Sequence, residues 1–201
     1  MKLVRIIADR VTGEGLYAIR FTAGQPDEFE RLFDLWIRDA GYLYRFFQDH
    51  RSEVQSGIYK GTLVEQAVRA TRHEAKLLQQ TIVSLAKNGI SGRQQVLQNI
   101  FQPLNNNEYT LKPLQKSKAR GNREKRWLRI YAIRFAANCF VITGGAIKVT
   151  LGMEAPYLQE ELLKLEKVRQ FLVDHDVRDQ TDFEYLEIWT DDHNQHERKN
   201  W

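Results

Sequence analysis

The chain has 201 residues, of which 42% are hydrophobic and 28% charged, and this average balance excludes a wholly disordered, collagen-like or low-complexity protein. Its single cysteine, Cys139, excludes an internal disulfide framework, and no apolar run approaches the roughly 18 residues of a membrane span. Residues 1–150 carry 24 basic and 13 acidic side chains, a net charge of +11, whereas residues 151–201 carry 6 and 13, a net charge of −7.

The N-terminal 21 residues predict a β-hairpin. Residues 2–8 and 16–21 are rich in β-branched and aromatic side chains, and the sequence TGEG separates them at residues 12–15. The first five residues lack the apolar core of a signal peptide. We therefore expect a cytoplasmic protein that begins with two paired strands.

The next segment, residues 27–87, predicts a helical hairpin. Asp27 is a suitable N-cap, and apolar residues follow at helical spacing from Phe29 to Phe47, with a break or bend near Gly41. A second helix is expected over residues 62–87, ended by Asn88 and Gly89. Two helices of this length with a short connector are expected to pack antiparallel.

The C-terminal half predicts two strands and a helix. Strands are expected at residues 127–135 and 139–143, and after Gly144 and Gly145 residues 146–150 can continue the second strand past a bulge. Pro156 begins an amphipathic helix whose apolar stripe ends at Leu172. We interpret residues 1–173 as one α+β domain and residues 174–201 as an acidic C-terminal segment that could fold back over a basic surface.

The strongest functional signal is the basic stretch at residues 112–134, which has nine cations and one anion. Its middle, residues 115–123, reads as a loop or hairpin tip that carries several donors for phosphate oxygens. Nearby Trp127 and Tyr131 could stack on bases. The alternative is a solvated basic hairpin without a ligand.

Residues 97–172 resemble the RelE/HigB-like toxins of bacterial type II toxin–antitoxin systems. The resemblance rests on LKPL at residues 111–114, WLRIYAIRF at 127–135, CFVITGGAIKVT at 139–150, and MEAP at 153–156 before a leucine-rich helix. It implies a mainly antiparallel twisted sheet with the helical hairpin 27–87 packed on one face. The part of the chain that matches the RelE-like sheet and its following helix is residues 97–172. The chain departs from the family in its greater length and in having one lysine, Lys148, where relatives carry a basic pair.

The resemblance also implies an activity: endoribonucleolytic cleavage of messenger RNA, often on the ribosome, with no metal and no cofactor. The implied partners are RNA and a cognate antitoxin, with no membrane. The residues that match the catalytic positions are Arg129, Tyr131 and Lys148. The candidate phosphate-binding residues are Lys116, Lys118, Arg120, Arg123, Lys125, Arg126 and Arg134.

Strand alternation refines this set. Arg129 and Tyr131 share a face, whereas Arg134, five residues from Arg129, lies on the other face unless a bulge intervenes. No histidine lies within residues 97–172, so the general base is unidentified. The alternative function is that of a non-enzymatic RelE/ParE-superfamily protein that binds a protein target, as ParE-like toxins bind DNA gyrase, or a nucleic acid.

Overall fold

The fold is α+β and is built on one six-stranded mixed sheet, with strand order β1-β2-β6-β5-β4-β3. The computed structural model describes residues 1–56, 59–105, 107, 110–120 and 127–185, and only the backbone of residues 184 and 185. The strands are β1 Lys2–Ala8, β2 Gly15–Arg20, β3 Gln102–Pro103, β4 Gln115–Arg120, β5 Leu128–Ala136 and β6 Cys139–Ile147. All neighbouring strands are antiparallel except β2 and β6, which are parallel.

Within the described residues, five α-helices cover the two faces of this sheet. They are α1 Glu28–Phe33, α2 Ala40–Asp49, α3 Arg51–Ser56, α4 Val64–Ile90 and α5 Pro156–Asp174. Helices α1 to α4 contribute to one apolar core, in which Trp36, Phe47 and Trp127 are buried. Helix α5 contributes Leu165 and Val168 to a second core on the other face.

The predicted first arm of the helical hairpin is broken next to Gly41, as predicted, but it is also divided at other points. It is divided into α1, a π-helical segment at Asp34–Arg38, α2 and α3. The π-helical segment ends where the Asp39 N–H donates to the Asp34 carbonyl at 3.1 Å, and the Asp39 side chain then caps α2 by accepting from the Tyr42 N–H at 2.7 Å. The second arm forms as α4, but it does not end at Asn88 and Gly89 as predicted: the helix continues through both residues to Ile90, and the glycine with a positive φ is Gly92. A long two-helix hairpin is not confirmed.

Strand β4 replaces the first part of the loop predicted at residues 115–123. Its sequence QKSKAR alternates, so that Gln115, Ser117 and Ala119 are buried and the cations between them are not. Because small and polar side chains occupy the buried positions, the usual apolar signal of a strand is missing. The prediction of a loop over residues 115–120 was therefore wrong.

Strand β6 continues past residue 143, as the sequence predicted. Tyr131 of β5 faces Gly144 and Ala132 faces Ile142, so Thr143 is the extra residue of a bulge. Strand β2 pairs only with the first four residues of β6, residues 139–142. The last part of β6 is therefore paired with β5 alone, which leaves space beside it for side chains of α1 and α5.

Part of the predicted C-terminal segment completes the second core. Val177 and Phe183 are buried, and the Phe183 ring lies edge-on to Tyr17 at 4.7 Å and to Phe135 at 4.8 Å between centroids. Residues 186–201 lie outside the described residues. Among the helices that the structure describes, none has the length and apolar character needed to cross a bilayer.

Candidate functional site

The pairing of β4 with β5 brings predicted site residues from both strands to one face of the sheet. Lys118 faces Tyr131 and Arg120 faces Arg129 across the ladder. Residues directly opposite each other in antiparallel strands point to the same side, with Cβ atoms about 5 Å apart. The alternation of β4 therefore adds its cations to those of β5.

Lys148 reaches the same place from the end of β6. Its backbone N–H donates to the Trp127 carbonyl at 2.6 Å, which fixes it beside the start of β5. Its Nζ donates to the carbonyls of Thr150 and Leu151, both at 2.6 Å. The loop after β6 therefore wraps around the ammonium group and holds it in place.

These side chains line one cavity of about 450 Å³. Strands β4 and β5, the loops after β3 and β6, α5 and the connector before α4 all contribute to its wall. The lining residues are Tyr59, Leu104, Asn105, Lys118, Arg120, Arg129, Tyr131, Lys148, Thr150, Leu151, Met153 and Leu162. All four charged residues in this lining are cations, and no aspartate or glutamate lines it within the described part of the chain. Such a cavity attracts anions.

The cations of the cavity perturb one another. Burial, together with the nearby Arg120 and Arg129, lowers the pKa of Lys118 below its ordinary value. Burial, reinforced by Arg129, also lowers the pKa of Lys148, although Glu154 partly opposes the effect. The pKa of Arg129 is likewise lowered, first by burial and then by Arg120. An anion in the cavity would relieve this repulsion.

Tyr131 contributes a neutral hydroxyl to the cation-rich wall. Burial raises its pKa to about 12 against the opposing effect of Arg129, so the phenol stays protonated at neutral pH. The hydroxyl lies 3.9 Å from the Met153 sulfur. It can therefore donate a hydrogen bond to a bound oxygen, but it is a poor base.

Not every predicted residue joins this cavity. Lys116 lies on the same face as Lys118, but its Nζ pairs with Glu166 of α5 at 2.9 Å. Arg134 faces Gln115, whose side chain is buried on the other side of the sheet from Arg129, as strand alternation predicted. Arg123, Lys125 and Arg126 lie outside the described residues.

Several lining residues were not predicted. Tyr59, in the connector before α4, is buried, and burial raises the pKa of its phenol. Its ring packs on Trp127 at 4.9 Å between centroids. Asn105 lies just after β3. Neither position carries a local sequence signal, because only tertiary packing brings these connectors to the cavity.

The arrangement combines four cations, from β4, β5 and the residue that follows β6, with one protonated phenol, around a space large enough for one nucleotide-sized group. Comparisons with family models, with curated proteins and with solved structures gave no match to this chain.

Proposed function

We propose that the protein is a toxin-like endoribonuclease of the RelE/HigB type that cleaves messenger RNA without a metal ion. The observation that carries this proposal is the gathering of Lys118, Arg120, Arg129 and Lys148 around one cavity with Tyr131. Phosphate is the anion that suits these groups, because arginine binds its oxygens bidentately and lysine supplies a point charge.

The cavity can support the chemistry of RNA cleavage. The 2′-oxygen forms a bond to the adjacent phosphorus, the bond from phosphorus to the 5′-oxygen breaks, and a 2′,3′-cyclic phosphate and a 5′-hydroxyl result. Negative charge that builds on the phosphate is stabilised by fixed cations in a partly buried site. Arg129, which is half-buried and flanked by Arg120, is the best placed for this role.

Proton transfer must remove the 2′-hydroxyl proton and supply one to the 5′-oxygen. The lowered pKa values of Lys118 and Lys148 make these lysines candidates for the two proton transfers. When the pKa of an ammonium group lies nearer to neutrality, the ammonium form is a better acid and the neutral amine, which can act as a base, is more populated. The protonated hydroxyl of Tyr131 would donate a hydrogen bond to the phosphate. The proposal includes a cognate antitoxin as the partner that restrains the toxin.

The direct test is incubation of the protein with messenger RNA in EDTA, with and without ribosomes. We expect cleavage in at least one of these conditions, and we expect expression of the protein to arrest growth. Combining Arg129→Ala with Lys148→Ala should relieve the arrest. Intact RNA in every condition would contradict an enzymatic function.

The second candidate is a non-enzymatic protein that binds RNA or a protein target through the same cavity. This function is favoured by the hydrogen bonds that both lysines already make within the protein. Lys118 donates to the Leu104 carbonyl and Lys148 to two carbonyls of its own loop, so neither ammonium group is held ready for proton transfer. Growth arrest with intact RNA, and undiminished arrest in the double variant, would favour a protein target.

A further inference from the structure

A second cavity, of about 240 Å³, lies beside the end of β6 that β2 does not reach. Its wall comes from α1, the π-helical segment, α2, residues 145–147 of β6 and the start of α5. It shares no lining residue with the basic cavity. It is therefore a separate candidate site, and nothing in the proposed cleavage reaction uses it.

Aromatic side chains form one wall of this second cavity. The Phe46 ring stacks on His50 at 4.3 Å and meets Tyr157 edge-on at 5.6 Å between centroids. Tyr42 lies on the next turn of the same helix. All four of these residues line the cavity, and all four are half-buried. The faces of aromatic rings carry negative charge density and attract cations.

Two of the three carboxylates around the cavity form ion pairs with cations, and the third, Glu160, is not part of either pair. Arg31 is held by Glu28 through two hydrogen bonds of 2.7 and 2.6 Å. On the floor, Glu161 accepts from the Gly145 N–H at 2.8 Å and from Lys164 Nζ at 2.6 Å. Glu160 is exposed at the rim, and its charge is not matched by either pair. The set of three carboxylates and two cations therefore has a formal net charge of −1.

The backbone around the cavity has two unusual features. The π-helical segment supplies Leu35 and Trp36 to the wall, and such segments occur often at functional sites. Gly145 lies so close to its neighbours that a Cβ there would be 2.6 Å from the Arg129 carbonyl oxygen and 2.9 Å from the Trp36 ring. The absence of a side chain at residue 145 therefore lets Trp36 pack against β6 and form the floor.

We propose that this second cavity binds a monocationic group on a short apolar stem, an alkylammonium or alkylguanidinium group of the size of a lysine or arginine side chain. Aromatic faces with a nearby carboxylate are the chemistry that recognises such cations. The volume of about 240 Å³ lies below the range of about 300–1,000 Å³ of pockets for drug-sized ligands. It therefore suits a group of side-chain size. The source is either a free amine or a basic residue of a peptide.

The test is a titration of the ¹⁵N-labelled full chain, followed by NMR at constant ionic strength, with n-butylammonium chloride. 1-Butanol, which has the same number of heavy atoms but no charge, is the matched neutral probe. We expect amide shifts centred on Ala146 and Tyr42 and an affinity for the cation at least fivefold higher than for the alcohol. A parallel titration with N-acetyl-lysine N-methylamide distinguishes the sources: tighter binding of this compound indicates a peptide, and tighter binding of n-butylammonium indicates a free amine.

Variants of residues that line the cavity test whether n-butylammonium binds there. The NMR spectrum of each variant shows whether it is folded. Glu160→Gln and Tyr42→Leu should each weaken n-butylammonium binding at least threefold. Glu65→Gln removes an exposed carboxylate of α4 and should leave it unchanged. Equal affinity for 1-butanol and the cation, shifts elsewhere only, or binding unaffected by both wall variants would overturn the proposal. Because no lining residue is shared, failure here leaves the RNA-cleavage proposal unaffected.

Discussion

Arg120 and Arg129 lie directly opposite each other across the β4–β5 ladder, on the face that lines the basic cavity. Like charges in this position destabilise a sheet. Burial lowers the pKa of Arg129, and the charge of Arg120 lowers it further. An arrangement that costs stability in the free protein is typical of a site that binds an anion, because the bound anion offsets the repulsion between the cations.

The first prediction concerns the stability cost of this pair. Replacing Arg120 by glutamine removes the repulsion, so the free energy of unfolding should rise by up to about 1 kcal/mol while RNA affinity falls. Urea denaturation and a filter-binding assay measure the two effects. Lys116→Gln is the matched control on the same strand: it loses the ion pair with Glu166, and stability should fall slightly or stay the same. A less stable Arg120→Gln protein would argue against the repulsion.

The second prediction concerns the salt dependence of RNA binding. If the four cations of the basic cavity contact phosphates, log K for single-stranded RNA should fall with log salt at a slope of about −2.8, at about −0.7 per contact. Replacing Lys118 and Lys148 by alanine should flatten the slope by about 1.4 units. The single Lys116→Ala change should alter it less, because Glu166 already holds that ammonium group. A slope near zero in the unaltered protein would mean that the cavity does not bind a polyanion.

The third prediction concerns pH. The pKa values of Lys118 and Lys148 are lowered in the folded protein, so between those lowered values and the ordinary lysine value the unfolded chain binds more protons. The contribution of these lysines to stability should therefore rise with pH across that window. The double Lys→Met variant should lose this rise. The raised pKa of Tyr131 lowers stability as the pH rises above about 10, which is the opposite effect. Because Tyr131 is present in both proteins, the difference between their stabilities from urea denaturation gives the contribution of the two lysines alone. Parallel pH dependence in the two proteins would contradict the assignment.

The fourth prediction concerns the C-terminal segment. Phe183→Ala should lower the free energy of unfolding by about 3–5 kcal/mol, because the ring is buried between Tyr17 and Phe135. RNA affinity of the folded protein should not change, since Phe135 and Arg129 lie at opposite ends of β5. Val173→Ala, at an exposed position of α5, is the control and should shift stability by no more than about 0.5 kcal/mol. Tighter RNA binding by folded Phe183→Ala protein would instead support a restraining role for this segment.

Much of the fold follows from local sequence patterns. The alternating and apolar residues of β5 and β6, the continuation of β6 past a bulge, and the helical stripes of α4 and α5 were all predicted. These elements bury large apolar side chains, so periodicity reports them directly. The placement of Arg134 on the face away from Arg129 followed from strand alternation alone.

The remaining features depend on contacts between distant segments. Strand β4 buries Gln115 and Ser117, which no apolar pattern reveals, and the alternation of its cations was the signal that could have identified it. The parallel pairing of β2 with β6 joins segments more than 120 residues apart. The contribution of Tyr59 to the basic cavity depends on the same kind of long-range packing. For this reason the sequence predicted the four cations that line the basic cavity, but not the residues of distant segments that complete its wall.

The measurement that tests the central claim most directly compares an RNA with a DNA copy of the same sequence, both incubated with the protein in EDTA and, for the RNA, also with ribosomes. Cleavage that uses the 2′-hydroxyl predicts cut RNA with 2′,3′-cyclic phosphate and 5′-hydroxyl ends, intact DNA, and at least a hundredfold slower cleavage by the variant that combines Arg129→Ala with Lys148→Ala. Intact RNA under all conditions, cleavage of the DNA copy, or an undiminished rate in the double variant would contradict it.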